Sequence, residues 1–393
     1  MVRSKSASAF PADIRVEAAL LLCASRTSLD AQQISELRNK ASATLDWNSL
    51  FKLSRIHAVE QLVHKQLSRH AADIVPPEHL QKLKQISQAN FARNQLFTAE
   101  LCRLIKLLDR SGITAIPFKG PALALFAYGD LNLRRYVDLD IMVRKEDVLA
   151  AREILLADGY ESSKSLSLSQ QQVLLQTQHN LQFHRDQRRT IIELHWEVAS
   201  HLFASSVRAE DLWSNLIEVE VNDTTMKSLS ADDLLFSLCI HGSRHLWQRL
   251  SWICDISELI SRREIHWNVL LDRSADTNGE RMFLLGLVLA EKLFATSLPA
   301  AVKDRCDSDI ALKALTDKIV ALLFRGTGDQ VLATTAETFW YNIAVRKSWK
   351  SRAQYMFYIL RPTDSDVRRD LPSSMRFIYY VERPFRLLFR PAK

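Results

Sequence analysis

The stretch Phe118–Val143, FKGPALALFAYGDLNLRRYVDLDIMV, sets a Lys-Gly pair before a proline-started apolar helix and closes on a run in which two aspartates alternate with aliphatic residues. Gly129 gives that helix its stop, and YVDLDIMV then follows the period of two that marks a strand. Alternate side chains of a strand share a face, so Asp138 and Asp140 stand together while Leu139, Ile141 and Val143 point the other way. Two unit charges about 4 Å apart repel by roughly 4 kcal/mol at an effective dielectric near 20. A divalent cation, a proton or solvent has to relieve that repulsion. Oxygen ligands carrying this much negative charge select Mg²⁺ or Mn²⁺ over Zn²⁺.

Upstream, ITAIPFKG reads as a short strand that ends at Lys119-Gly120, where the helix begins. The free N–H groups of a helix start can receive a phosphate, with Lys119 as a point charge, although Pro121 removes one of those donors. Arg135, three residues before Asp138, can pair with phosphate or fix the loop. Downstream, KEDVLAAREILLADG is an amphipathic helix, and NLQFHRD with TIIELHWEV reads as a hairpin across Gln187 to Arg189. The second hairpin strand puts Ile191, Glu193 and His195 on one face, so Glu193 can supply a third carboxylate. His195 is read as a hydrogen-bonded support for the carboxylates, and Trp196, on the other face, as packing. LIEVEV and TTMKSLS add further strands, and the α/β unit runs over 112–230.

The flanks have a helical period. Residues 1–111 form an N-terminal helical module, with DIRVEAALLLCAS, DAQQISELRNKA, WNSLFKLSRIHAVEQLVHKQL and a long segment from Pro77 to Gly112 as its helices. Residues 231–393 form a C-terminal helical module, clearest in DDLLFSLCIHGSRHLW, SWICDISELISRR, WNVLLDRSA and GERMFLLGLVLAEKLF.

Composition bounds the answer. The 393 residues are 47% hydrophobic and 25% charged, which describes a folding chain rather than a disordered one, and only 9 glycines argue against a loop-rich β architecture. The five cysteines are scattered without a CxxC pair, a pattern of buried thiols in a reducing compartment. Asp13, Arg15 and Glu17 interrupt any signal-peptide core, and no apolar run is long enough for a transmembrane span, so the expected location is cytoplasmic. A net charge of +7 and a pI near 9.1 suit a phosphate-bearing partner. The tail MRFIYYVERPFRLLFRPAK is basic and partly apolar, but Pro384 breaks a long helix, so it reads as a docking tail rather than a peripheral membrane anchor.

The order K-G, a helix with an aromatic-Gly end, R-x-x-D-x-D-h-h-V and a distant E-L-H-W resembles the uncharacterised nucleotidyltransferase family of the DNA polymerase β superfamily. HGSRHLWQRLSWICDISELI also looks like that family's C-terminal part, so the resemblance covers roughly Leu101 to Phe294. It implies an α+β, helix-rich protein: a small mixed-sheet nucleotidyltransferase core flanked by N-terminal and C-terminal helical modules. It further implies that an acceptor hydroxyl attacks the α-phosphate of an NTP and expels pyrophosphate. Asp138, Asp140 and Glu193 then match the metal-binding and catalytic carboxylates for Mg²⁺ or Mn²⁺, and Glu193 can take the hydroxyl proton. Lys119, Gly120 and Arg135 are the nucleotide-binding candidates from the core. Better characterised members carry Gly-Ser where this chain has Lys119-Gly120-Pro121, and a shorter spacer before the aspartates.

In HGSRHLWQRLSWICD, His241 and His245 sit one helical turn apart, but the glutamate of the H-E-x-x-H zinc motif is absent. This helix is read as facing the core, with His245 and Arg249 approaching the nucleotide and one of Trp247 and Trp252 in the apolar interior. The acceptor class stays open among a small molecule, a sugar, a protein and RNA. Two alternatives stand beside the enzyme: a catalytically silent nucleotide- or partner-binding module, and a toxin-like tRNA nucleotidyltransferase.

Overall fold

Apolar residues at three and four residue spacing make the front of the chain helical. A computed structural model describes residues 15–162, 175, 178–187, 190–198, 209–277, 279–325 and 333–360. Helices α1 (Val16–Ala24), α2 (Ala31–Ala41), α3 (Trp47–Ile56), α4 (Glu60–His70) and α5 (Pro77–Arg110) come first. Asp30 caps α2 in a reciprocal box with Gln33, Asp46 caps α3, and Pro77 opens α5 where no intrahelical N–H is required.

Periodicity joins WNSLFKLSRIHAVEQLVHKQL into one helical segment, whereas the structure breaks it into α3 and α4. Ala58 takes a left-handed φ of 55°, and the Val59 N–H turns back to the Ser54 carbonyl at 3.0 Å. No glycine or proline marks the break. It is held instead by distant partners: the Leu250 N–H donates to His57 Nδ1 at 3.2 Å and the Ser251 N–H to the His57 carbonyl at 3.1 Å.

Strands β1 (Ala115–Pro117), β2 (Leu139–Val143), β3 (Glu161–Ser162), β4 (Asn180–Arg185) and β5 (Thr190–His195) form a sheet in the order β1-β2-β5-β4-β3. It is mixed, because β2 and β5 run parallel while the other pairs are antiparallel. The last pair, β6 (Ile217–Val221) and β7 (Thr224–Ser228), is a separate antiparallel ribbon tied to β1 where the Ser228 hydroxyl donates to the Pro117 carbonyl at 2.9 Å. Between β1 and β2 lies α6 (Gly120–Leu123), which continues as a π-helical turn to Tyr128; Gly129 ends it at φ 69°.

Leu139, Ile141 and Val143 of β2 and Ile192 and Leu194 of β5 share an apolar cluster with Leu101, Leu104 and Leu108 of α5 and Ala151 and Leu155 of α7 (Val148–Ala157). Each fully buried aliphatic side chain contributes roughly 1.5–3 kcal/mol, so a one-residue slip of β2 would lose several of them and drive Asp140 into the cluster. This face fixes the register. It commits Asp140, Glu193 and His195 to the opposite face.

After α8 (Ala209–Ser214) and the ribbon come α9 (Ala231–Arg244), α10 (Leu250–Arg262), α11 (Trp267–Asp276), α12 (Glu280–Phe294), α13 (Ala300–Asp307), α14 (Ile310–Leu323), α15 (Thr335–Ala344) and α16 (Trp349–Leu360). Leu20, Leu50 and Leu62 of the front helices belong to one apolar cluster with Phe236, Ile253 and Phe283 of the rear helices. The fold is therefore α+β and helix-rich, with a small mixed sheet flanked by helices.

The pattern DDLLFSLCIHGSRHLW carries a helix as far as Trp247, but α9 stops at Arg244. Leu246 and Trp247 take left-handed φ values of 52° and 53°, and the Trp247 N–H returns to the Gly242 carbonyl at 2.9 Å. Trp247 is the interior tryptophan of the pair, fully buried, whereas Trp252 is half-buried. No helix among the described residues is long and apolar enough to cross a membrane, and all five cysteines are free thiols. The opening residues 1–14, the tail Met375–Lys393 and the hairpin-turn residues 188–189 lie outside the described residues.

Candidate functional site

The parallel pairing of β2 with β5 sets Asp140 directly opposite Glu193, and Met142 opposite His195. Asp138 precedes β2 by one residue, on the same side as Asp140. His195 Nε2 lies 3.1 Å from Asp140 Oδ1 and 3.3 Å from Glu193 Oε2, and Asn180 of β4 donates to Glu193 Oε2 at 2.9 Å. Among the described residues, Asp140, Glu193 and His195 offer ligand atoms that all lie within 4.8 Å of one another. Asp138 stands beside this set, outside it.

Cations meet the carboxylates from the helical side. Lys119, the residue that caps α6, is buried with Nζ 3.4 Å from Asp140 Oδ1 and 3.2 Å from His241 Nδ1. Gly120, which follows, sits at φ +57° with the Asp138 carbonyl and Leu139 near where a Cβ would be, so the turn into α6 suits glycine. Arg134 is locked to the buried Asp255 of α10 through Nε at 2.8 Å and Nη2 at 3.0 Å. Arg135 donates to Glu60 Oε1 of α4 at 2.9 Å, and Glu60 Oε2 has no hydrogen-bond partner among the described residues.

Burial and mutual repulsion split the carboxylates. Burial, then the charges of Asp140 and Glu193, push the Asp138 carboxyl up to about 6. Burial would raise Asp140 as well, but Lys119 and His195 outweigh it and hold that carboxyl well below the usual range. Glu193 is lowered chiefly by His195, against its own burial. For His195 burial acts downward, yet the two flanking carboxylates raise it. His241 is pushed well below its ordinary value by burial and then by Lys119, so it is the neutral acceptor for the lysine ammonium. Burial together with the neighbouring negative charge that raises Asp138, beside ligand atoms already gathered, fits a divalent cation here.

With His195 packed behind the carboxylates, Asp138, Asp140, Glu193, Lys119 and His241 open onto a cavity of about 670 Å³. Its lining brings together Lys119, Arg135, Asp138, Asp140, Glu193, His245 and Arg249, which the sequence marked, while Gly120 lies behind the wall. Arg134, His241, Trp252 and Arg325 line it too, as does the segment from Leu53 to Ala58 at the α3–α4 break. His241 and His245 face each other at 4.7 Å between ring centroids, and Trp252 meets them at 5.3 and 5.4 Å. Arg249 lies over the Trp252 ring at 5.7 Å. Sequence reasoning missed Arg134 because it chose its neighbour in the Arg-Arg pair, and it missed the α3–α4 segment because nothing in that stretch signals chemistry.

The cavity thus gathers carboxylates with Lys119 among them, and further cations and aromatic rings line the rest of it. That arrangement can hold a cation and an anionic, ring-bearing ligand together. A family sequence model described as "Uncharacterised nucleotidyltransferase" matches residues 43–295, well over half of the chain and all of the cavity-lining residues named above except Arg325. Among solved structures, that of an antigenic nucleotidyltransferase-like protein from Paracoccidioides brasiliensis aligns with 52% of this chain and 95% of its own at 16% identity, with a TM-score of 0.33. No curated protein matches the chain.

Proposed function

Because the chain belongs to the uncharacterised nucleotidyltransferase family, we propose that it moves an NMP from an NTP to a hydroxyl acceptor. A bond forms between the acceptor oxygen and the α-phosphorus, the bond from that phosphorus to the bridging oxygen breaks, and pyrophosphate leaves. The observation that carries this reading is the convergence of Asp138, Asp140 and Glu193 on a cavity that Lys119, Arg134, Arg135 and Arg249 also line.

In this reading Asp138, Asp140 and Glu193 hold Mg²⁺ or Mn²⁺, which when bound supplies positive charge to the reacting phosphate. Lys119, beside Asp140, and Arg135 and Arg249, elsewhere in the cavity lining, neutralise the phosphates and hold the α-phosphorus near the carboxylates. His245 and Trp252 offer ring faces to the base or the acceptor. The carboxylates receive the proton that the attacking hydroxyl gives up. Small molecules, sugars, proteins and RNA ends all remain in the acceptor class.

A second reading, nucleotide or partner binding without turnover, draws on one contact. The Lys119 ammonium already stands 3.4 Å from Asp140 Oδ1, a cation of the chain's own among the carboxylates. The deciding experiment titrates each NTP with and without Mg²⁺ or Mn²⁺ into wild type, Asp138→Ala and Asp140→Asn, following thermal stabilisation and pyrophosphate release. Transfer predicts metal-dependent stabilisation by one NTP, pyrophosphate release with an acceptor, and loss of at least about a hundredfold in rate for folded Asp140→Asn. An undiminished rate in that variant would overturn it, and saturable binding with no release from any acceptor would favour the second reading.

A further inference from the structure

We propose that His195 is a direct ligand of the divalent cation, and that its ring nitrogen turns the site from Mg²⁺ toward a transition-metal ion such as Mn²⁺. The proposal rests on the reading that the carboxylates hold a cation and deepens it by naming a nitrogen donor.

The sequence motif ELHW alternates on β5, so Glu193 and His195 project from the same face, and the β2 register places Asp140 directly across from Glu193 and diagonal to His195, which pairs with Met142. His195 Nε2 stands 3.1 Å from Asp140 Oδ1 and 3.3 Å from Glu193 Oε2. Ligands that share an ion at about 2.1 Å are separated by no more than ~4.2 Å, so both His195 separations already suit a common ion. Phe118 meets the imidazole edge-on at 5.0 Å and His179 lies at 6.1 Å, which leaves the ring little freedom to turn.

A supporting histidine would spend its nitrogens on hydrogen bonds. His195 is 3% exposed, yet neither ring nitrogen makes a well-directed hydrogen bond among the described residues, although Nε2 lies close to both carboxylates. A buried polar atom without a well-directed hydrogen bond is costly, and here Nε2 sits between the two carboxylates in close but poorly directed contact. An ion bound there would satisfy nitrogen and both oxygens at once. Mg²⁺ takes oxygen ligands almost alone, whereas imidazole binds first-row transition metals, and Mn²⁺ is the member of that series that still accepts a carboxylate-rich shell.

Mn²⁺ titration of the purified full-length protein by electron paramagnetic resonance, with Mg²⁺ as competitor, tests this without reference to turnover. Wild type is expected to bind Mn²⁺ at least about tenfold more tightly than Mg²⁺, with the bound ion showing ¹⁴N coupling from an imidazole in pulsed spectra. His195→Gln should lose that coupling and about 10- to 100-fold of Mn²⁺ affinity, while its Mg²⁺ affinity moves less than about threefold. Bound Mn²⁺ without nitrogen coupling in wild type, which needs no variant to fold, overturns the ligand assignment and leaves the carboxylate site standing. If folded wild type binds neither ion, the assignment falls together with the metal reading beneath it.

Discussion

Arg134 and Asp255 are joined by two parallel hydrogen bonds of 2.8 and 3.0 Å, with the Tyr128 hydroxyl donating to the same carboxylate at 2.7 Å. Asp255 has no exposure at all, so the pair clamps the loop before Asp138 and Asp140 onto α10 from inside the protein. Removing one partner of such a pair leaves an uncompensated buried charge, typically a loss of 3–5 kcal/mol. Asp255→Ala should therefore lower stability by about that much in urea unfolding, whereas Arg134→Met/Asp255→Leu should recover most of it. A double variant no more stable than the single one would show that the polar contacts themselves hold the loop.

His57 predicts a pH dependence of folding. It is buried, its Nδ1 accepts the Leu250 N–H, and burial pushes its pKa down to about 4 from an ordinary 6.5. Between those values the unfolded chain binds a proton that the folded chain refuses, so stability is full above pH 6.5 and falls as the pH drops toward 4. The loss attributable to this residue is about 3 kcal/mol. Urea unfolding at pH 7, 5 and 4 should show His57→Asn, which keeps an acceptor for Leu250, losing less stability than wild type by about that amount. Equal acid sensitivity in the two proteins would remove His57 from the account.

Gly242 predicts a packing failure. A Cβ at this position would overlap the Trp247 ring, and one at Gly286 would meet the same ring at 2.9 Å and Cys239 Sγ at 2.7 Å. The tryptophan occupies a slot between two glycine-bearing helices, and that slot ends α9 where His241 and His245 face the cavity. Overpacking a filled core costs typically 1–3 kcal/mol, so Gly242→Ala should lower the unfolding midpoint by that equivalent or more. Trp247→Leu in the same chain should make the alanine better tolerated. A strictly additive pair would mean that the ring is not what the methyl meets.

Much of this site is legible in the chain because period-two alternation needs only local sequence. YVDLDIMV and TIIELHWEV announce which side chains share a face, and the basic and aromatic HGSRHLW segment announces a second element near it. What cannot be read locally is pairing across distance. That Asp140 meets Glu193 rather than Gln182 depends on β5 lying parallel beside β2, a choice made by Leu139, Ile141, Ile192 and Leu194 packing on α5. The Arg-Arg pair poses the same problem: one guanidinium turns inward to Asp255 and its neighbour to Glu60, and only the assembled α4 and α10 distinguish them. The α3–α4 break is likewise silent, since Ala58 takes its left-handed turn under bonds from Leu250 and Ser251.

Lys119 predicts two effects of opposite sign from one substitution. Its ammonium stands 3.4 Å from Asp140 Oδ1, the oxygen that also faces His195, and it has a second acceptor in His241 Nδ1 at 3.2 Å. A fixed cation beside that oxygen competes with any metal ion for the same negative charge. Lys119→Met keeps the length and apolar stem of the side chain and removes the charge, so the competition ends and Mn²⁺ affinity should rise by about tenfold, or about 1.4 kcal/mol. In the proposed nucleotide complex the same ammonium faces phosphate, so affinity for the stabilising NTP should fall by a similar factor. Metal titration alone and nucleotide titration at saturating metal separate the two effects. A variant in which both affinities fall would mean that Lys119 organises the carboxylates instead of competing for them, and unchanged nucleotide affinity would remove Lys119 from the phosphate site.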